Sequence, residues 1–183
     1  MKVFIGGYWD PKRAVRYASE TKLLGRLLAE RGHDVIVGPG SGVVRFLVEG
    51  FREVASKGKV IFYLPKKKEL IRTGEELTPF ADEVIRTEED YLHRMITMCE
   101  DSDGYASIAG ASGTIAEAVC MMFLKKPVTM LEEAGAASNA GQILGGLKAY
   151  AYFSPTVEKM VEYLEQKFPV SKLHEFEEEW YNV

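Results

Sequence analysis

The chain has 183 residues, 46% of them apolar and 27% charged, with a formal net charge of -4. That balance excludes a disordered or collagen-like chain and argues against a nucleic-acid binder, which carries a basic excess. The acidity sits in Glu175, Glu177, Glu178 and Glu179, because residues 1–174 hold 23 acids against 23 bases. Cys99 and Cys120 have no CxxC spacing, which excludes a disulfide framework and implies a reducing, cytoplasmic setting. No apolar run approaches the ~18 residues of a membrane span, and the apolar start at Val3-Phe4-Ile5 is too short for a signal-peptide core.

Short β-branched runs alternate with stretches of helical period, the pattern of a doubly wound α/β domain with a mainly parallel sheet and helices on both faces. Lys2 to Ile5 reads as the first strand, and Pro11 to Arg31 as a helix with its stripe at Leu23, Leu24, Leu27 and Leu28. Asp34 to Val37 is the second strand, and Gly38-Pro39-Gly40-Ser41-Gly42 opens a helix to about Ser56. Val60 to Leu64 is the third strand, followed by loop from Lys66 to Pro79 with Lys66-Lys67-Lys68 as a solvated run. A short strand near Glu83 to Ile85 precedes a helix from Glu88 to Asp101, whose Leu92, Met95, Ile96 and Cys99 are expected in the core.

Tyr105 to Ala109 is the next strand, running through Gly110 and Ser112-Gly113-Thr114 into a helix to Leu124. Pro127 to Leu131 and Ala151 to Phe153 complete the strands, with a loop and weak helix from Ala134 to Gly146 between them. Ser154 is the expected N-cap of the last helix, with Pro155 at its first position. This gives one domain over residues 1–170 and an acidic aromatic tail over 171–183, whose Phe176, Trp180 and Tyr181 are expected to dock on the body or on a second subunit.

Two Gly-rich turns pass from a strand end into a helix, where free amides and the positive end of the helix dipole favour phosphate. The first misses the dinucleotide fingerprint, because Val43 stands at its last glycine and the turn follows the second strand. A dinucleotide-dependent oxidoreductase therefore stays only as a third reading, and no P-loop motif occurs. The second turn, Gly110-Ala111-Ser112-Gly113-Thr114, is followed by Glu117. A carboxylate beside a phosphate site suits a sugar or a developing cation, but Thr114-Ile115-Ala116-Glu117 reads equally as a capping box. Arg94 reads either as a phosphate-binding fork or as an i, i+4 partner of Asp90. Tyr8 and Trp9 after the first strand read as a base-stacking pair, or else as a lid or subunit contact. His33, His93 and His174 have no zinc-ligand spacing, and His93 could border the pocket beside Arg94.

Arg94-Met95-Ile96-Thr97-Met98 followed by Ala109-Gly110-Ala111-Ser112-Gly113-Thr114-Ile115-Ala116-Glu117 resembles the LOG family, which carries an RKxxM helix and then PGGxGTxxE. The resemblance covers about residues 1–168. It implies a Rossmann-like nucleotide-binding fold, a homodimer or larger assembly, and a nucleoside 5'-monophosphate phosphoribohydrolase that needs no cofactor or metal. Arg94 and Glu117 are the catalytic residues it implies, with Gly38, Gly40, Ser41, Met98, Gly110, Ser112, Gly113 and Thr114 holding the nucleotide. Met95 stands where the family has Lys, Ala109-Gly110-Ala111 replaces Pro-Gly-Gly, and Pro39 breaks the family's glycine triplet. These departures suit the alternative of a non-catalytic carrier or sensor, like the molybdenum-cofactor carriers of the same superfamily. The superfamily's lysine-decarboxylase label finds no matching lysine here.

Overall fold

The computed structural model describes residues 1–74, 79–143 and 150–167, without the side chains of residues 140–143. Seven strands of the described residues form one sheet: β1 (Lys2–Gly7), β2 (Asp34–Val37), β3 (Val60–Leu64), β4 (Glu83–Arg86), β5 (Gly104–Ile108), β6 (Val128–Leu131) and β7 (Tyr152–Ser154). Their order is β4-β3-β2-β1-β5-β6-β7, and every neighbouring pair is parallel. The five residues of β3 and of β5 are all buried, as both-face coverage of a parallel sheet requires. The expected doubly wound fold is therefore present.

Alternating side chains of the strands feed two cores. On one face Val3, Ile5, Val35, Val37, Phe62 and Ile108 meet α2 (Ala18–Glu30), α3 (Val43–Phe51) and α8 (Val157–Lys167) through Leu24, Leu28, Leu47, Phe51, Met160 and Leu164. On the other, Phe4, Ile36, Tyr63, Tyr105 and Met130 meet α5 (Tyr91–Asp101), α6 (Ser112–Phe123) and α7 (Ala136–Ile143) through Met98, Cys99, Met121 and Ala137. Each fully buried Leu or Ile contributes about 1.5–3 kcal/mol of transfer free energy. The chain leaves β1 toward the first face and β5 toward the second, so a crevice opens between their carboxyl ends. That crevice is the topological switch point where open α/β sheets take ligands.

Several boundaries differ from the sequence reading. The expected helix from Pro11 to Arg31 is broken into α1 (Pro11–Ala14), a 3-10 turn (Val15–Tyr17) and α2. Tyr17 leaves helical geometry at φ -119°, ψ 21°, and its carbonyl accepts the Thr21 hydroxyl at 2.6 Å. The helix after the first glycine turn stops at Phe51 instead of Ser56, whose hydroxyl donates to the Ala29 carbonyl at 2.8 Å. The Lys66 to Pro79 loop contains α4 (Lys67–Thr73), closed by Gly74 at φ +62°, and Lys67 and Lys68 stand exposed in its first turn.

In α5 the expected stripe is rotated. Met98 and Cys99 are buried, Met95 is partly so, and Leu92 and Ile96 are 60% and 38% exposed. The last helix is capped by Thr156, whose hydroxyl accepts from the Lys159 amide at 3.3 Å, while Ser154 closes β7 and donates to the Thr156 carbonyl at 2.7 Å. The weak helix expected after Ala134 is α7. The docking expectation for residues 171–183 lies outside the described residues.

Candidate functional site

A cleft of about 780 Å³ occupies the switch point, lined by Gly7 at the end of β1, by Tyr8, Trp9 and Asp10 after it, by Arg13 of α1, by Thr73 of α4, by Tyr91, Leu92, Arg94 and Met95 of α5, and by Ala111 at the N-cap of α6 with Ser112, Gly113, Thr114, Ala116 and Glu117 of that helix. Its floor is the turn after β5. Ala109 and Gly110 both take positive φ, +62° and +107°, which turns the backbone sharply into α6. A Cβ on Gly110 would meet the Thr114 hydroxyl at 2.1 Å. Ala111 at the N-cap offers no side-chain acceptor, so the first-turn amides of α6 are uncapped, and nothing stands within 4 Å of where a Gly113 Cβ would be. An uncapped helix start with open space above it is suited to an anion.

Glu117 lies one turn deeper in α6. It is the sixth residue of the helix and not part of its first turn, so the capping-box reading is overturned. Its Oε2 accepts from the Tyr105 hydroxyl at 2.8 Å, and the same hydroxyl is 3.2 Å from the Thr114 carbonyl. Tyr105 comes up from β5, fully buried, and Gly6 in β1 makes the space: a Cβ there would stand 1.9 Å from the Tyr105 hydroxyl and 2.5 Å from Glu117 Oε2. Desolvation pushes the Glu117 carboxyl up to about 7, against the opposing pulls of the Tyr105 hydrogen bond and the Arg94 charge. Tyr105 itself is held well above the ordinary phenol range by burial and by Glu117. The carboxyl therefore changes charge near neutrality, a property suited to proton transfer.

Arg94 crosses the cleft from α5. Its guanidinium lies 4.7 Å from the Tyr91 ring centroid and reaches toward the Tyr63 carbonyl at 3.4 Å. It sits over Gly38, where a Cβ would meet its terminal nitrogens at 3.3 and 3.4 Å. The expected partner Asp90 instead caps α5, accepting from the His93 amide and meeting its ring at 3.0 Å. That hydrogen bond from the His93 backbone holds Asp90 down to about 2. His93 is two-thirds exposed and is not part of the cleft lining.

The first glycine turn serves this site indirectly. Gly42 presses on the loop after β1, where a Cβ would stand 2.0 Å from the Tyr8 carbonyl, and the Val43 amide donates to that carbonyl at 2.8 Å. The start of α3 thus holds the Tyr8 and Trp9 corner in place.

A family model matches residues 4–155, the SLOG cluster4 family. The chain belongs to the SLOG cluster4 family. An uncharacterized protein of Archaeoglobus fulgidus is 34% identical over 110 residues, 60% of this chain and 66% of that protein, so the match falls just short of two thirds of its relative's length. The crystal structure of TM1055 superposes with a TM-score of 0.77 at 27% identity, over 90% of this chain and 98% of that one. The molybdenum cofactor carrier protein of Chlamydomonas reinhardtii does so with a TM-score of 0.74 at 21% identity, over 90% and 96%. The DNA processing protein A of Helicobacter pylori, whose structure concerns single-stranded DNA binding, reaches 0.65 at 18% identity, over 91% and 80%. At these last two identities the likeness is one of fold. The Rossmann-like, LOG-type assignment made from the motifs agrees with this family and these neighbours.

Within this SLOG cluster4 chain the cleft gathers Arg94, Ser112, Gly113, Thr114 and Glu117 of the expected site residues. Gly110 shapes the turn below them. Gly38 seats Arg94, and neither it nor Gly40 nor Ser41 lines the cleft. Met98 is 1% exposed in the core beneath, while Met95, expected to pack, does so and also reaches the cleft wall. Tyr8 and Trp9 line the opening, Trp9 69% exposed. In the sequence Tyr105 is an ordinary strand residue, and Gly6 carries no signal of its own. The signal available was a glycine pair ending β1 together with a phenol on the strand that pairs with it, Gly6 lying in register with Ser107 and Phe4 with Tyr105.

Among the described residues no group of three or more His, Cys, Asp or Glu side chains could hold a metal ion, and no helix is long and apolar enough to cross a membrane.

Proposed function

We propose that this protein binds a nucleoside 5'-monophosphate in the cleft and hydrolyses its N-glycosidic bond, giving free base and ribose 5-phosphate. The observation that carries this reading is the meeting, in one cleft, of an uncapped helix start, an arginine and a carboxyl that titrates near neutrality. The 5'-phosphate lies on the amides of Ser112, Gly113 and Thr114, with Arg94 as its charged partner. Glu117, one turn deeper, faces the ribose. As the C1'–N bond lengthens, its carboxylate stabilises the oxocarbenium charge and takes a proton from the attacking water. The water oxygen bonds to C1', and the electron pair of the broken bond leaves with the base, which gains a proton.

Tyr105 serves both protonation states of Glu117. It donates to the carboxylate, and its hydrogen turns to the Thr114 carbonyl when Glu117 is protonated. The resemblance to LOG proteins adds a homodimer or larger assembly in a cytoplasmic setting, and the exposed Leu92 and Ile96 on α5 support such a contact. No metal or redox cofactor enters the reaction.

A second reading is a carrier or sensor that holds a phosphorylated ligand without cutting it. It is favoured by Met95 in the cleft wall, at the position of the family's lysine, and by the fold likeness to molybdenum cofactor carriers. Chromatography of a panel of nucleoside 5'-monophosphates after incubation with the protein separates the two. Release of base and ribose 5-phosphate supports the hydrolase. Saturable binding without release, weakened in Arg94→Ala, supports the carrier.

A further inference from the structure

A second hollow of about 230 Å³ adjoins the cleft, lined by Tyr8, Lys12, Arg13, Arg16 and Tyr17. Tyr8 and Arg13 line both spaces, so the two share a wall. The break between α1 and α2 creates it. The short helix and the 3-10 turn bring three cations spaced i, i+1 and i+4 around two phenols. The Tyr8 and Tyr17 rings stand 6.5 Å apart, and the Arg13 guanidinium lies 5.8 Å from the Tyr8 ring.

Few carboxylates compensate this cluster. Arg31, Arg45, Arg52 and Arg72 each meet a carboxylate, at Glu165, Glu49, Asp82 and Glu69. Lys12 and Arg16 form no ion pair among the described residues, and Arg13 reaches Asp10 only at 3.8 Å with its side chain 67% exposed. Three mutually repelling cations around a concave site, in a chain of net charge -4, leave a positive focus that Asp10 alone offsets, through its pair with Arg13.

We propose that this annex is a second anion subsite, which takes a further phosphoryl group of the ligand held in the main cleft. The ligand class is then a nucleotide bearing two phosphoryl groups, one on the start of α6 and one among Lys12, Arg13, Arg16 and the two phenols. This rests on the nucleotide reading of the cleft. Guanidinium forks grip phosphate oxygens in pairs, the ammonium adds a point charge, and the phenols donate hydrogen bonds.

The test compares adenosine 5'-monophosphate, adenosine 5'-diphosphate and adenosine 3',5'-bisphosphate by calorimetry, on the wild-type protein and on the Lys12→Ala/Arg16→Ala double variant. Both side chains are exposed, so the fold is expected to survive, which circular dichroism checks. At least one two-phosphate ligand is expected to bind about tenfold or more tighter than the monophosphate, and the double variant to lose that preference while keeping monophosphate affinity. Equal affinities in the wild type, or a preference that survives in the variant, would overturn the proposal.

Inorganic pyrophosphate, followed by amide NMR, separates failure of the annex from failure of the nucleotide reading. Shifts at Lys12 to Tyr17 without binding of any adenosine nucleotide would uphold an anion subsite and reject the nucleotide. Absence of shifts at Lys12 to Tyr17 would reject the annex whatever the nucleotides do.

Discussion

The Tyr105 hydroxyl donates to Glu117 Oε2 at 2.8 Å, and this bond opposes the desolvation that lifts the carboxyl to about 7. Removing the hydroxyl in Tyr105→Phe leaves the ring in place and takes away a partner of the charged form. A hydrogen bond of about 0.5–1.5 kcal/mol corresponds to roughly half to one pK unit. The Glu117 titration, followed by carboxyl NMR, is therefore expected to move upward by that amount. Any pH-dependent turnover should move with it. An unmoved or lowered titration would deny the coupling.

Glu117 also links stability to pH. Its folded value lies above the ordinary 4.5 of a carboxyl, so the native state holds the proton more tightly than the unfolded chain. The stabilisation that this gives is complete below about 4.5 and is lost as pH rises through about 7. In Glu117→Gln that loss disappears. The variant should gain stability relative to the wild type by about 1–3 kcal/mol between pH 5 and pH 8, read from paired denaturation curves.

Gly6 carries the geometry of the pair, because a Cβ at that position would overlap the Tyr105 hydroxyl at 1.9 Å and Glu117 Oε2 at 2.5 Å. Gly6→Ala is expected to destabilise by about 1–3 kcal/mol, the usual cost of overpacking. It should also displace the carboxyl, so affinity or turnover falls in protein that is still folded at 20–25 °C. Thermal unfolding and ligand titration of the same sample check both effects.

Arg94 is half-buried against Tyr91 and above Gly38, and its guanidinium lines the cleft. Arg94→Ala should weaken binding of a phosphorylated ligand by about tenfold to a hundredfold, the range of one charged hydrogen-bonding group. Arg94→Lys should recover only part of this, since a point charge does not reproduce the planar fork or its stacking on Tyr91. Calorimetry on the three proteins decides.

The fold was legible where periodicity and length spoke clearly. The β-branched runs at Val35 to Val37, Val60 to Leu64 and Val128 to Leu131 became parallel strands, and Leu24 and Leu28 became core. Local pattern misled where tertiary contacts decided. Leu92 and Ile96 have the spacing of a core stripe, but α5 meets the sheet through Met98 and Cys99. The helix start at Pro11 was legible, whereas its break at Tyr17 depends on a backbone conformation that no residue type demands.

Of the candidate site, the motif resemblance named Arg94, Gly113, Thr114 and Glu117, and the fold brings these four to one cleft. Tyr105 was not legible, because a phenol in a buried strand looks like packing until the glycine on the neighbouring strand and the carboxyl on α6 are seen to share one space. Gly38 and Gly42 look like phosphate-binding glycines in sequence. In the fold they give room to the Arg94 guanidinium and to the Tyr8 backbone.

The most direct test of the central claim is quantified release of ribose 5-phosphate from nucleoside 5'-monophosphates at pH 8, for the wild type and for Glu117→Gln at equal folded concentration. The account predicts release by the wild type and a loss of at least about a hundredfold in the variant, with nucleotide affinity retained. Release that persists unchanged in Glu117→Gln, or a wild type that binds nucleotide and never releases base, would contradict it.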